Sequence, residues 1–190
     1  MNPVKLVLGF VPFLLFTVLC SWIPVGWAAL AGLVAAVAII AATARGGVPF
    51  LPVVQAGVLL VMALVGLFGG PTVDSWLVVY GRGLVPLVLG LVIVATAVPM
   101  PFTAPFARAT VPEADWHSPL FLQVNRRLSA MWGGVVLLIG LCHILGAHLA
   151  QQGVSATVLI DWGVPILALV AAAVYTRRVA THAPTREART

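Results

Sequence analysis

The sequence is poor in charge. Asp, Glu, Lys and Arg make up 8% of its 190 residues, against about 25% in a typical soluble domain. With so few charges a soluble fold could not cover its surface with polar groups, and a lipid-facing surface is the simplest explanation. Cysteine is scarce too: the chain has two. Cys20 and Cys142 form neither a CxxC pair nor a zinc spacing, so a disulfide framework is not supported. Four histidines occur. His143 and His148 are five apart, about 500° around a helix, and do not share a face as an i, i+4 pair would. His117 is expected on the opposite side of the membrane. The ligand count of a haem or metal site is therefore not met, and no cofactor is expected. No nucleophile-elbow motif is present, which disfavours an enzyme.

Apolar sequence is abundant, at 62% of the chain. Several uninterrupted runs reach roughly 18–22 residues, the length needed to cross a bilayer core near 30 Å. The expected fold class is all-α: a polytopic membrane helical bundle. Six transmembrane helices are expected, over about Val4 to Cys20, Trp27 to Thr43, Phe50 to Phe68, Trp76 to Val98, Leu128 to Ala150 and Val154 to Tyr175. Residues 1–176 would form the bundle and 177–190 a polar, disordered cytoplasmic tail.

Several boundaries have local causes. Pro12 suggests a kink that neighbouring helices can tolerate in a membrane. Gly69-Gly70-Pro71 ends the third run, and a short loop is expected to hold Asp74. Ser118-Pro119 reads as an N-cap followed by a first-turn proline. A helix from there to Ala150 would be about 48 Å long, so its first part, Leu120 to Arg127, belongs at the interface. The N-terminal run after Lys5 has the outline of a secretory signal, but Leu19 precedes Cys20 where a lipoprotein site wants a small residue. It is read as a retained first helix. If it lay flat at the interface, five spans would remain and the N-terminus would be outside.

The pI near 10.3 does not indicate nucleic acid, because the basic residues sit in loops between apolar segments. Six spans place Lys5, Arg45, Arg108, Arg126, Arg127, Arg177, Arg178, Arg186 and Arg189 on one side. By the positive-inside rule that side is the cytoplasm, with both termini in it. The opposite loops hold no basic residue, only acidic charge: Asp74, with Asp161 at the edge of the sixth span.

The remaining basic residue, Arg82, falls inside the fourth helix. Arg82, His143 and Asp161 then share the outer half of the bundle, while Gln55 lies near the inner end of the third helix. One reading is an outward-facing proton- or ligand-handling site, with Asp161 as counter-ion to Arg82 and His143 as titratable partner, as in a small transporter or channel. The other is a structural ion pair whose members snorkel to water. Small residues also recur: Ala28, Gly32 and Ala36; Gly83 and Gly90; Gly133 and Gly140. They suit close helix contact, within the bundle or in a homo-oligomer.

Several motifs carry a resemblance. LGFVPFLLFTVL with its central proline, the Ala-rich WAALAGLVAAVAII, and LVGLFGG ahead of an acidic turn and Trp76 come first. Val111-Pro112 with Trp116, then Asn125, then Trp132 opening GGVVLLIGLCHI follow later. In order and spacing they resemble the bacterial intracellular septation protein A family (YciB) over nearly the whole chain. Ser75, Leu77 and His143 depart from that family's pattern. The resemblance implies a non-enzymatic protein of the bacterial inner membrane and cell envelope, linked to septation and envelope maintenance. Its implied partners are division or cell-wall synthesis proteins. The cytoplasmic loop 99–127 would be the docking surface, with Phe102, Phe106, Arg108, Trp116 and Asn125 as contact residues.

Overall fold

A computed structural model describes residues 9–43, 49–154 and 157–182. Among these the protein is all-helical. Helix α1 is Val11–Leu19, α2 Val25–Thr43, α3 Phe50–Phe68, α4 Gly70–Thr96, α5 Ala104–Arg108, α6 Pro119–Gln151 and α7 Val164–His182. A 3-10 turn, Glu113–Asp115, lies between α5 and α6, and a π-turn, Leu159–Gly163, leads into α7. Five segments are long and apolar enough to cross a membrane: α2, α3, α4, α6 and the stretch Leu159–Val179. The expected first span is represented by the nine residues of α1; Val4 to Leu8 lie outside the described residues.

Two expected boundaries move. Asp74 is not in a loop. Helix α4 begins at Gly70, directly after α3. Gly70 has φ +78°, a left-handed conformation that costs glycine little. Pro71 follows in the first turn, where a missing N–H removes no helical bond. The chain therefore reverses without a loop, and Asp74 rides on the helix. At the other end, α7 passes Tyr175 and continues to His182, so Arg177 and Arg178 are helical.

The long sixth element is as expected. Ser118 Oγ accepts from the Phe121 N–H at 3.2 Å, and α6 then runs 33 residues to Gln151. Gly153, at φ +81°, ends it: the Gly153 N–H donates to the Ala150 carbonyl at 3.0 Å and the Val154 N–H to that of Leu149 at 3.1 Å. This glycine C-cap satisfies two carbonyls that the helix end would leave open.

Helices α4 and α6 form the centre, and glycine sets their distance. A β-carbon on Gly83 would meet the Gly140 carbonyl oxygen at 3.0 Å, and one on Gly90 the Gly133 carbonyl oxygen at 2.9 Å. The two seven-residue steps pair antiparallel, 83 with 140 and 90 with 133. In lipid, where apolar burial gives helices no reason to associate, such backbone approach supplies the dispersion contact that holds them. Gly26 meets Gly66 in the same way between α2 and α3. Ala28, Gly32 and Ala36 are buried too, Gly32 against Pro12 and Phe16 of α1. The small-residue stripes are used inside the bundle.

Helix α1 is packed into this frame by Phe10, Phe13 and Phe16, all in the core. Phe10 stacks on Trp132 at a 5.8 Å centroid distance and meets Phe102 edge-on at 6.3 Å. Gln55, fully buried, acts as a substitute backbone for α1. Its Nε2 donates to the Gly9 carbonyl at 2.8 Å and its Oε1 accepts from the Phe13 N–H at 3.2 Å. Helix α7 is peripheral, tied to α6 by the Trp132 Nε1–H donating to Thr176 Oγ1 at 3.0 Å. Large apolar side chains cover the outside, among them Val34, Leu64, Leu91, Leu141 and Leu167, as a lipid-facing surface requires.

Candidate polar site at the end of the bundle away from the arginine loops

The three polar residues singled out within the spans come together. Arg82 (α4), His143 (α6) and Asp161 (π-turn) line one cavity of about 140 Å³ with Cys20, Val25, Val78, Val79, Gly146, Ala147 and Ala150. Arg82 Nη2 is 3.5 Å from His143 Nδ1, and Asp161 Oδ1 is also 3.5 Å from that same nitrogen. Among the described residues Arg82 and Asp161 do not form a direct ion pair within 4.0 Å; His143 stands between them. The expected counter-ion arrangement is thus mediated by an imidazole.

Two prolines shape the site. Proline at i+4 cannot donate to the carbonyl of residue i, and its ring crowds that carbonyl. Pro86 stands four residues after Arg82 and Pro165 four after Asp161. Around Asp161 the helix responds by widening. The Val164 N–H reaches back five residues to the Leu159 carbonyl, and the resulting π-turn, a form concentrated at functional sites, carries Asp161 toward α6. Gly146 receives it: a β-carbon there would lie 2.8 Å from the Asp161 Cγ.

Burial differs along the triad. The His143 side chain is 4% exposed and that of Asp161 23%. Arg82 Nε is buried and has no hydrogen-bond partner. The guanidinium carbon lies 4.8 Å from the centre of the Trp162 ring, which His143 meets edge-on at 6.5 Å. A cation over an indole face is stabilised by roughly 0.5–2 kcal/mol. Trp162 is the member that sequence reasoning missed; its position beside Asp161 was the available signal. Cys20 was missed as a lining residue, because nothing in the sequence places the end of α1 against α4 and α6.

His148 stands apart, exposed and paired with Gln152 at 3.0 Å. His117 is exposed beside α6's other end. Among the described residues no three His, Cys, Asp or Glu side chains are grouped to hold a metal.

The residues of loop 99–127 divide into two kinds. Phe102 (3% exposed) and Asn125 (2%) are buried, and Phe106 packs on the core. Thr103 knots the segment to α6: its hydroxyl is 3.0 Å from the Asn125 carbonyl, Asn125 Oδ1 and Ser129 Oγ. The Asn125 side-chain amide donates to the Phe121 carbonyl at 2.8 Å, and Arg126 Nε donates to the Val98 carbonyl at 2.9 Å. Arg108 is exposed, its guanidinium 5.2 Å from the centre of the Trp116 ring. Trp116 Nε1–H donates to the Val111 carbonyl at 2.9 Å. Phe102 and Asn125 hold the loop; Arg108 and Trp116 are what it presents.

Compared with known proteins, the chain matches no family model, no curated protein and no solved structure. The fold and the geometry above establish a multi-pass membrane protein by helix length and composition.

Proposed function

We propose that the chain is a non-enzymatic, multi-pass protein of a bacterial inner membrane, with both termini cytoplasmic, that takes a small polar solute into the Arg82–His143–Asp161 cavity from the opposite face. The observation that carries this reading is the cavity itself. Charged side chains within a span are costly, and residues that merely snorkelled to headgroups would point outward rather than converge on a shared space. An intramembrane cluster of this kind marks a solute or ion path by default.

Six spans suit this reading. Phe10 lies at the level of Trp132 and Cys20 at the level of His143 and Gly146. From Phe10 to Cys20 α1 rises roughly 15 Å, about half of a bilayer core near 30 Å, and in the sequence the apolar run begins before Phe10. That topology gathers nine basic residues at the cytoplasmic end, in keeping with the positive-inside rule.

The test is a panel of small charged solutes added to the full-length protein in nanodiscs, read by tryptophan fluorescence and calorimetry, with Arg82→Gln as control. Saturable binding that the substitution abolishes is expected. A panel without any binder, on protein that remains monodisperse and helical, contradicts the reading.

A second reading is docking of division or cell-wall synthesis proteins at the cytoplasmic end, as the resemblance implies. The observation favouring it is the Thr103–Asn125–Ser129 knot, which presents Arg108 and Trp116 in a fixed arrangement. Co-purification of a division protein that Arg108→Ala with Trp116→Ala abolishes would support it; co-purification unchanged by both would count against it.

A further inference from the structure

The His143 Nδ1 atom is asked to serve two partners at once. A guanidinium nitrogen can only donate to it, and a carboxylate oxygen can only accept from it. One ring nitrogen cannot do both: it carries either a lone pair or a proton. With a lone pair it takes the Arg82 Nη2 at 3.5 Å and leaves Asp161 without its hydrogen. With a proton it donates to Asp161 Oδ1 at 3.5 Å, and Arg82 loses its acceptor.

A neutral His143 can carry its single proton on Nδ1 or on Nε2, so either contact alone leaves the ring uncharged; the charges change only when the ring holds both protons. When His143 is neutral, Arg82 and Asp161 cancel across it. When His143 is protonated, imidazolium and carboxylate form their own pair, and Arg82 carries an uncompensated charge beside the cavity. Its Nε is buried without a partner, so an acceptor is missing there as well. An anion entering the cavity would give the Arg82 guanidinium an acceptor and restore the net charge of the cluster to zero.

Resting on the solute-binding reading, we propose that the cavity takes up a small monoanion of the carboxylate type together with one proton. The proton goes to His143 Nδ1, which turns to Asp161. The anion's oxygens accept from the guanidinium of Arg82, which stays over the Trp162 face. Before uptake the cluster holds one cation and one anion; afterwards it holds two pairs, with the net charge unchanged. A volume near 140 Å³ compares with a cavity of about 150 Å³ that holds benzene, so the anion has only a few heavy atoms.

The other titratable and charged groups around the cavity do not disturb this assignment. Helix α1 contributes Cys20, and α2 contributes only Val25. Helix α4 offers Arg82 itself, since Tyr80 turns away to Gln151. Helix α6 offers His143, with Cys142 buried beside it, and the π-turn offers Asp161. Histidine is the side chain whose charge ordinarily changes between pH 5 and 8, and among the residues lining the cavity that side chain is His143.

The experiment is calorimetry of propionate binding to the full-length protein in nanodiscs, in two buffers of different ionisation enthalpy at mildly alkaline pH. About one proton taken up per propionate is expected, with affinity falling roughly tenfold per pH unit in that range. His143→Gln should bind propionate without proton uptake and with a flat pH profile, and Trp162→Phe should lose the fluorescence response. Proton stoichiometry is read on the unaltered protein, so it does not depend on any variant folding. Propionate bound without proton uptake overturns the proposal. So does glycine bound without proton uptake in competition with propionate, which would place a zwitterion between Arg82 and Asp161 while leaving the solute-binding reading intact. Failure of the whole solute panel overturns both.

Discussion

The Asp161 carboxylate rests on Gly146. A β-carbon at that position would overlap Oδ1 and lie 2.8 Å from Cγ. The geometry of the polar site thus depends on a hydrogen atom in α6, and on the π-turn that pushes Asp161 toward it.

Gly146→Ala should therefore displace Asp161 and break its 3.5 Å contact with His143. Solute affinity is expected to fall by about tenfold or more, roughly 1.4 kcal/mol, in calorimetry. The thermal midpoint should change little, because the turn can move outward into lipid.

The α4–α6 seam should be far less forgiving. Gly140→Val would drive a side chain into the Leu87 backbone and the Gly83 carbonyl, and overpacking of this kind costs about 1–3 kcal/mol. A lowered thermal midpoint in detergent is the expected readout. Gly134→Ala is the control: its β-carbon meets nothing within 4 Å, and the protein should be unchanged or slightly stabilised.

Gln55→Leu should loosen α1. The Gly9 carbonyl and the Phe13 N–H would lose their partner, and a buried unsatisfied group costs about 1–3 kcal/mol. Faster hydrogen exchange over residues 9–20, with the α4–α6 seam still protected, would show it. Equal protection in both proteins would contradict the anchoring role.

Thr103→Val removes the hydroxyl that joins Asn125 to Ser129. Arg108, already exposed, should then be cleaved several-fold faster by trypsin. An unchanged cleavage rate would mean that the knot does not hold the loop.

Much of the architecture was legible because lipid writes it into the sequence. Five long apolar runs became five long helices, since only internally bonded helices or closed barrels satisfy a backbone in hydrocarbon. The paired glycines 83/140 and 90/133 were legible as small residues at helical spacing, though their antiparallel partnership depends on which helices become neighbours. Asp74 was misplaced because Gly69-Gly70-Pro71 reads as a stop, whereas a left-handed Gly70 lets the next helix begin at once. Arg82, His143 and Asp161 were legible because charge is rare in a span. Their mediator was not: Pro86 and Pro165 stood in plain view at i+4, but only the folded chain shows His143 Nδ1 between guanidinium and carboxylate.

The central claim is that this cavity opens to water on the face opposite the arginine-rich loops. Cys20 lines it and is half-buried, whereas Cys142 is buried. A charged, membrane-impermeant thiol reagent should therefore label Cys20 in a Cys142→Ala background. Labelling is expected in right-side-out vesicles and not in intact inverted ones. Absence of labelling from both sides, with full reaction in denaturant, would mean that the cavity is closed to water. Labelling from the cytoplasmic side alone would reverse the topology.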